Sequence, residues 1–371
     1  MGRICHLTSV HVVTDTRIFW RECVSAALRH HVVLIAQSKK ESLCSGVTII
    51  PFPTYRKRWQ RMILGGWRMF RQAHRVHADV FHFHDPELLP WMALLHIITK
   101  KPIIYDVHEF VTHSFSSRDY MGPKLKKIIG IVYVLIERLC SRQLVCIVAA
   151  SERTGRDIAG RLRTHPPIVI LNNYPRLAEI EDTHNTTSDR KGVVYIGRIS
   201  RERGMHNVID AMQYVDSVLH LAGDYEDPAY QQYLAKSEGW RKIEEYGYVN
   251  RRKAWELLTS AQVGVNVIPP APNHLYGPSN KIYEYMAGGL PIVASNFPMW
   301  KELVEDNGCG VVVNPLNPKA IADGINMILA EPVGAKRMGE NGRRLVRERF
   351  NWEQEEPKLW AMYDSMLEKS R

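Results

Sequence analysis

Pro278-Ser-Asn-Lys-Ile-Tyr-Glu-Tyr-Met-Ala-Gly-Gly-Leu-Pro-Ile-Val-Ala-Ser295 holds a loop end, a helix, a stop and a strand in succession. Ser279 suits an N-cap, because its hydroxyl can accept from a free N–H of the first helical turn. The helix runs to Ala287 and is stopped by Gly288-Gly289. Ile292–Ala294 then reads as a buried strand. Glu284 lies among Ile282, Tyr283, Tyr285 and Met286, and a carboxylate on so apolar a helix requires partners. Ribose hydroxyls would serve; a solvated face or a local hydrogen bond is the plainer reading.

The same alternation continues on both sides. Upstream of it lie apolar runs at Val193–Ile196, Val218–Ala222, Ile243–Val249 and Val263–Ile268, and downstream Gly310–Val313, each separated by helix-length segments. Further toward the N-terminus come Ile4–Ser9, Val32–Ala36, Val47–Pro51, Val80–His84, Ile103–Val107, Val145–Ala150 and Ile168–Leu171, with helical patterns such as Ile18–Arg29 between them. Between the two series, Arg176–Arg190 has almost no apolar residues after Ile180, which is linker composition. The expectation is α/β: two Rossmann-like doubly wound lobes facing a cleft. The lobes span residues 1–175 and 192–351, joined by a linker at 176–191, and the tail from Lys319 is helical.

The 371 residues suit two such domains, and 45% apolar with 24% charged residues excludes disordered and fibrous classes. Six scattered cysteines without a C-x-x-C pair read as reduced thiols of a cytoplasmic protein. No signal peptide is read at the N-terminus. The longest apolar run, Ile128 to Ile136, is too short to span a bilayer. Charge is uneven: residues 1–175 hold 25 Lys+Arg and 12 Asp+Glu, a net +13, whereas the rest hold 24 and 27, a net −3. One lobe is therefore expected to face an anionic surface. Arg56–His77, with seven Arg+Lys and no acid, places Trp59, Met62, Ile63, Trp67 and Phe70 at helical spacing. That pattern fits a helix lying on an anionic membrane, or equally one packed on its own sheet. No nucleic-acid motif accompanies the charge.

Three further stretches carry chemistry. Tyr195-Ile-Gly-Arg-Ile-Ser-Arg-Glu-Arg-Gly204 follows a strand and opens a helix, so that Gly197 allows a tight turn and Arg198 and Arg203 stand where a diphosphate is favoured. Ile103–Val107 ends in Asp106, His108 and Glu109, at the end of a strand where ligands bind in α/β lobes. Phe81-His-Phe-His-Asp-Pro-Glu87 looks like a metal box, but its histidines alternate with phenylalanines on a strand, and neither a second ligand cluster nor a D-x-D occurs in the sequence. No metal and no cofactor are expected.

These stretches, in order, resemble the retaining, metal-independent glycosyltransferases of family four, which have the GT-B fold. The series comprises Asp15-Thr-Arg-Ile-Phe19, His84-Asp-Pro-Glu87, Asp106-Val-His-Glu109, Ser151-Glu152, Asn172-Asn173, Gly197-Arg198 with Arg203-Gly204, and Ala222-Gly-Asp224. Tyr246-Gly-Tyr-Val249, Ser279–Ser295 and Phe350-Asn-Trp352 complete it. The resemblance implies that Arg198 and Arg203 contact the donor diphosphate and that Glu284 binds the ribose. It implies that His108 touches the transferred sugar, and that Ser279, Asn280 and Lys281 at a helix N-terminus face the phosphates with Gly223 nearby. Tyr248 and Val249 would lie beside the base. His11, Asp15 and Arg17 would lie on the acceptor side, and the final helix, within 352–371, would cross back to the first lobe. Three departures stand out. Tyr276 occupies the position of the first glutamate of the family's donor-binding pair, Arg203 replaces the usual lysine, and Ser9-Val-His11 replaces a Gly-Gly pair.

The function implied is transfer of a sugar from a nucleotide sugar to a glycan or lipid-linked acceptor, at the cytosolic face of a membrane, in surface polysaccharide or glycoconjugate synthesis. The alternative suggested by Tyr276 is a catalytically inactive nucleotide-binding partner subunit. A phosphorylase-like enzyme would need a lysine-centred pyridoxal phosphate site, and none is evident in the sequence.

Overall fold

The computed structural model describes residues 1–108, 122–162, 164–181, 190–275, 277 and 279–369. The chain divides into two units, Met1–Asn173 with Trp352–Arg371, and Tyr174–Asn351. Of the stretch read as linker, Ala178–Glu181 is a short helix tied to the second unit by an ion pair from Arg251 to Glu179, and residues 182–189 lie outside the described residues.

The first unit is built on an eight-stranded sheet. Its strands are β1 (Arg3–Val12), β2 (His31–Gln37), β3 (Ser42–Cys44), β4 (Val47–Phe52), β5 (Val80–Phe83), β6 (Ile103–Val107), β7 (Cys146–Ala149) and β8 (Ile168–Ile170), in the order β3-β4-β2-β1-β5-β6-β7-β8. All neighbours pair in parallel except β3 with β4. The sequence reading missed β3, a three-residue exposed edge strand with no apolar alternation to reveal it. Winding proceeds outward through β2 and β4, then returns to β5 on the other side of β1. The β1/β5 junction is thus the switch point at which such sheets bind ligands.

Period-two alternation sorts the strands between two cores. Cys5, Leu7, Phe81, Phe83, Ile103 and Tyr105 face one layer, in which Met69, Phe70, Met92 and Leu95 are packed. Ile4, Val80 and Ile104 face the other, where Ile18, Phe19 and Cys23 meet Trp352, Leu359, Met362, Tyr363 and Met366. The terminal helix Glu356–Lys369 is thereby part of the first unit. The segment expected as a regular helix over Ile18–Arg29 is instead a wide, π-type helix, Thr16–Cys23, followed by Val24–Ala27. Its first turn is widened because Trp20 N reaches back five residues to Asp15 O at 3.3 Å.

Arg58–Val76 is helical with a π-type widening at Arg61–Gly65. Its inner face is Gly65, Gly66, Met69, Phe70 and Ala73, and Trp59, Met62, Ile63, Leu64 and Trp67 are exposed. The glycine pair does more than weaken this helix. A Cβ on Gly66 would lie 2.0 Å from Trp91 Nε1, so its absence lets helix Leu89–Thr99 approach closely.

The second unit has six parallel strands, β9 (Val193–Ile196), β10 (Leu219–Ala222), β11 (Ile243–Gly247), β12 (Val263–Asn266), β13 (Ile292–Ser295) and β14 (Gly310–Val313). Their order is β11-β10-β9-β12-β13-β14, with the switch point between β9 and β12. Helix Asn280–Ala287 lies in the crossover from β12 to β13, and Gly289, at φ +64°, ends it as the sequence predicts.

Candidate active site

In the first unit, parallel pairing places residues of like parity side by side. His6 is the register partner of His82, and His82 of Ile104. One step further along, His84 and Asp106 follow on the same face, then His108. Asp106 is the hub. Its Oδ2 accepts from Arg17 Nε at 2.9 Å, and its Oδ1 from Arg17 Nη2 at 2.9 Å. His108 Nε2 lies 2.9 Å from Oδ2 and His84 Nδ1 lies 3.2 Å from it. Burial opposes charge on Asp106, but the Arg17 guanidinium, His108 and His84 hold its pKa well below the usual carboxylate range. Glu22, also against Arg17 at 3.1 Å, moves the other way: burial, then the Asp106 charge, push it well up. Around this hub His11 bonds Asp15 at 3.1 Å and its ring lies 5.3 Å from that of His108. Asp15 also caps the helix, accepting from Arg17 N and Ile18 N. Asp85 accepts from Thr8, Ser9 N and Ser9 Oγ.

The structure therefore brings His11, Asp15, Arg17 and His108 together at the β1/β5 switch point. It gives Arg17 a different position from that of a surface contact. At 4% exposure, with Nε and Nη2 donating to Asp106 and Nη1 to Leu171 O, it acts on a ligand only through Asp106.

The second unit's switch point is built differently. β9 ends at Gly197 (φ +145°) and β10 at Gly223 (φ +142°), conformations that favour glycine. A Cβ on Gly223 would stand 1.8 Å from Gly197 O, and one on Gly197 would stand 2.6 Å from Lys281 Cε. The bare backbone thus admits Lys281, whose Nζ lies 5.3 Å over the Tyr195 ring. Burial, then the neighbouring Arg203, push Lys281 down to about 8, against the pull of Glu284. Arg198 is exposed and Arg203 half-buried, and neither guanidinium forms an ion pair among the described residues. Ser279 stands at the N-cap position, but its hydroxyl makes no capping bond, so the first N–H groups of Asn280–Ala287 have no side-chain cap. Asn280 is exposed, Glu284 half-buried, Val249 half-buried, and Tyr248 74% exposed. Asn266 Nδ2, at the end of β12, is buried without a partner among the described residues. Tyr276 and Glu109 lie outside the described residues.

Sequence reasoning named Asp106 and His84 but assigned neither a role, and it passed over His6, Glu22 and Tyr363. The signal was the Phe-His-Phe-His alternation, in which Phe81 and Phe83 pack into one core while His82 meets Tyr363 of the terminal helix and His84 meets His6 and Asp106. Candidate ligand atoms of His6, Glu22, His82 and His84 lie within 4.8 Å of one another, as do those of His84, Asp106 and His108. Several of these nitrogens already bond one another, for example His6 Nδ1 and His84 Nε2 at 3.0 Å.

Comparison with known proteins bears on this geometry. The sequence model of Glycosyl transferases group 1 matches residues 178–345, and that of Glycosyltransferase Family 4 matches residues 25–174. An uncharacterised glycosyltransferase of Methanocaldococcus jannaschii is 27% identical over 49% of this chain, and the match covers only 45% of that relative. The phosphatidyl-myo-inositol mannosyltransferase of Mycobacterium leprae is 26% identical over 78% of this chain and 74% of its own length. Among solved structures, sucrose-phosphate synthase from Thermosynechococcus elongatus superposes with a TM-score of 0.77 at 17% identity, covering 100% of both chains. Anabaena HepE in complex with UDP and glucose gives 0.70 at 15%, covering 98% of this chain and 100% of that one. With the two sequence models falling on successive halves and the fold shared end to end, the chain belongs to the group 1 glycosyltransferases of the GT-B fold.

Proposed function

We propose that this protein transfers a sugar from a nucleotide sugar to a glycan or lipid-linked acceptor, with retention at the anomeric carbon and without a metal. The observation that carries the reading is the second unit's switch point, where Arg198, Arg203 and Lys281 gather at a glycine-lined strand end beside an uncapped helix N-terminus. Cations and free N–H groups held in place there stabilise the charge that grows on a departing diphosphate. Solved relatives bound to UDP and glucose support the donor class. Glu284 takes the ribose, with Tyr248 and Val249 beside the base. In the first unit, His108 touches the transferred sugar, and His11 and Asp15 meet the acceptor. Asp106 and Asp85 are engaged by the donors around them, so neither is free as a nucleophile. This favours attack from the face that the diphosphate leaves. Turnover of a panel of sugar nucleotides, with and without a chelator, tests the reading. Transfer from one donor that persists in the chelator is expected. Activity lost in the chelator and restored by magnesium overturns metal independence, and inertness toward every donor overturns the enzyme reading.

The outer face of the first unit supports a lipid-borne acceptor. Besides the exposed Trp59, Ile63, Leu64 and Trp67, helix Pro123–Ser141 turns Ile128, Ile131, Val132, Leu135 and Leu139 outward. These positions recur at i, i+3, i+4, i+7 and i+11, one stripe of a helix. Among the described residues no helix is long and apolar enough to cross a membrane. Arg56–His77 has no acid, and the only acid in Pro123–Ser141 is the buried Glu137. An apolar stripe without exposed acids, on a basic unit, suits the surface of an anionic bilayer carrying the acceptor in a surface polysaccharide or glycoconjugate pathway. Co-sedimentation with phosphatidylglycerol vesicles should be strong and fade with salt, and Ile131→Glu with Leu135→Glu should abolish it. Equal binding to neutral vesicles, or none to either, rejects the surface.

A further inference from the structure

The first unit contains a buried hydrogen-bond sequence that ends at the site histidine. His82 Nδ1 lies 2.7 Å from Tyr363 Oη, and Tyr363 Oη lies 2.9 Å from His6 Nε2. His6 Nδ1 lies 3.0 Å from His84 Nε2, and His84 Nδ1 lies 3.2 Å from Asp106 Oδ2. Every member is buried, with His6 and His82 fully enclosed. Resting on the glycosyl-transfer reading above, we propose that Tyr363, His6 and His84 are positioning residues, a one-way run of donors that fixes Asp106 and makes His108 a hydrogen-bond acceptor toward the transferred sugar.

The direction is dictated from the Asp106 end. An ionised carboxylate only accepts, so His84 must carry its proton on Nδ1. A neutral His84 then has a lone pair on Nε2 and accepts from His6 Nδ1–H. His6 in turn accepts on Nε2 from the Tyr363 hydroxyl, which is left to accept from His82 Nδ1–H. The run ends on His82 Nε2, a lone pair that is buried with no partner among the described residues. The rings are neutral because burial and their mutual proximity hold His6 and His82 well below the usual histidine range and bring His84 to about 4. The other acid in the cluster, Glu22, lies 3.9 Å from His84 Nε2 and 4.0 Å from His6 Nδ1, and burial, then the Asp106 charge, push it upward.

His108 is the last donor onto the same oxygen, at 2.9 Å through Nε2; this nitrogen also lies 3.1 Å from His84 Nδ1, and both protons turn to Asp106 Oδ2 because a lone pair on either nitrogen would face the carboxylate. With Nε2–H committed inward, its remaining polar atom is the Nδ1 lone pair, which can accept from a sugar hydroxyl but cannot donate while the ring is neutral. Three histidines in the Nδ1–H form beside one in the Nε2–H form is an arrangement that packing alone would not demand.

Nitrogen-15 NMR of histidine-labelled protein reads it directly. Nδ1–H at His6, His82 and His84 with Nε2–H at His108 is expected. Nε2–H at His6 or His84, or a metal on any of these nitrogens, overturns the proposal. In Tyr363→Phe the His108 tautomer should become mixed. Turnover should fall about tenfold, the order expected for one lost hydrogen bond, with donor KM and nucleoside diphosphate affinity unchanged. His82→Gln, which retains a donor toward Tyr363, should keep both the tautomers and the turnover. A Tyr363→Phe protein that loses thermal stability while its His108 signal and turnover stay unmoved marks the run as structural and overturns the proposal. The NMR readout needs no substrate, so its failure is distinct from failure of the transferase reading.

Discussion

The two switch points solve opposite problems. At β1/β5 the polar groups satisfy one another, so that Asp106 is covered by Arg17, His84 and His108, and Asp85 by Thr8 and Ser9. At β9/β12 the backbone is stripped to glycine, and Arg198 and Arg203 are left without ion pairs among the described residues. The first end is complete without a ligand and suits a neutral, hydroxyl-rich group. The second gathers positive charge, and burial, then the neighbouring Arg203, depress the pKa of Lys281, a cost that an anion would offset. The same doubly wound topology thus yields either a self-satisfied or a ligand-completed site, according to the residues placed where the winding reverses.

The sharpest test of the contrast is to remove one group from each side. Arg198→Ala should lower turnover by about a hundredfold or more and weaken nucleoside diphosphate binding, since on the proposed reading its partner is the ligand. His108→Ala should lower turnover to a similar degree yet leave diphosphate affinity intact. Steady-state kinetics beside calorimetric titration decide it, and diphosphate affinity lost equally in both variants would erase the distinction.

A smaller effect comes from Lys281. Its pKa in the free protein is about 8, and a bound diphosphate would raise it, so binding takes up a proton as pH rises through 8. Affinity should be full below pH 8 and fall above it, by at most about tenfold per pH unit. Lys281→Arg should flatten that limb. Titrations at pH 7, 8 and 9 that show no slope in the native protein would place the phosphates away from Lys281.

Much of the fold was legible because a buried parallel strand between helices leaves an apolar run that needs no context, as at Val193–Ile196 or Ile103–Val107. What escaped was set by neighbours distant in sequence. Ser42–Cys44 is a strand only because Val47–Phe52 offers it an edge. The widened turn at Thr16–Cys23 shows nothing in its spacing. The site was half legible. Gly197, Arg198 and Glu284 stand in local motifs, whereas the roles of Asp106 and Tyr363 depend on rows formed across strands and on a helix more than 250 residues away. Arg17, readable as a contact for substrate, is buried for the same reason: its partner Asp106 is 89 residues distant.

The return of helix Glu356–Lys369 to the first unit has a consequence for how the protein comes into being. Trp352, Leu359, Met362 and Tyr363 complete a core whose other walls are made from residues 4 to 171. On the ribosome the first unit is synthesised first but cannot close that core until the last helix emerges. The contiguous Tyr174–Asn351 has every strand of its sheet in hand earlier. The usual N-to-C order of domain maturation is therefore expected to reverse here. A nascent chain arrested near residue 350 would present a folded second unit behind a first unit with one face of its sheet uncovered, the form most exposed to proteases and chaperones.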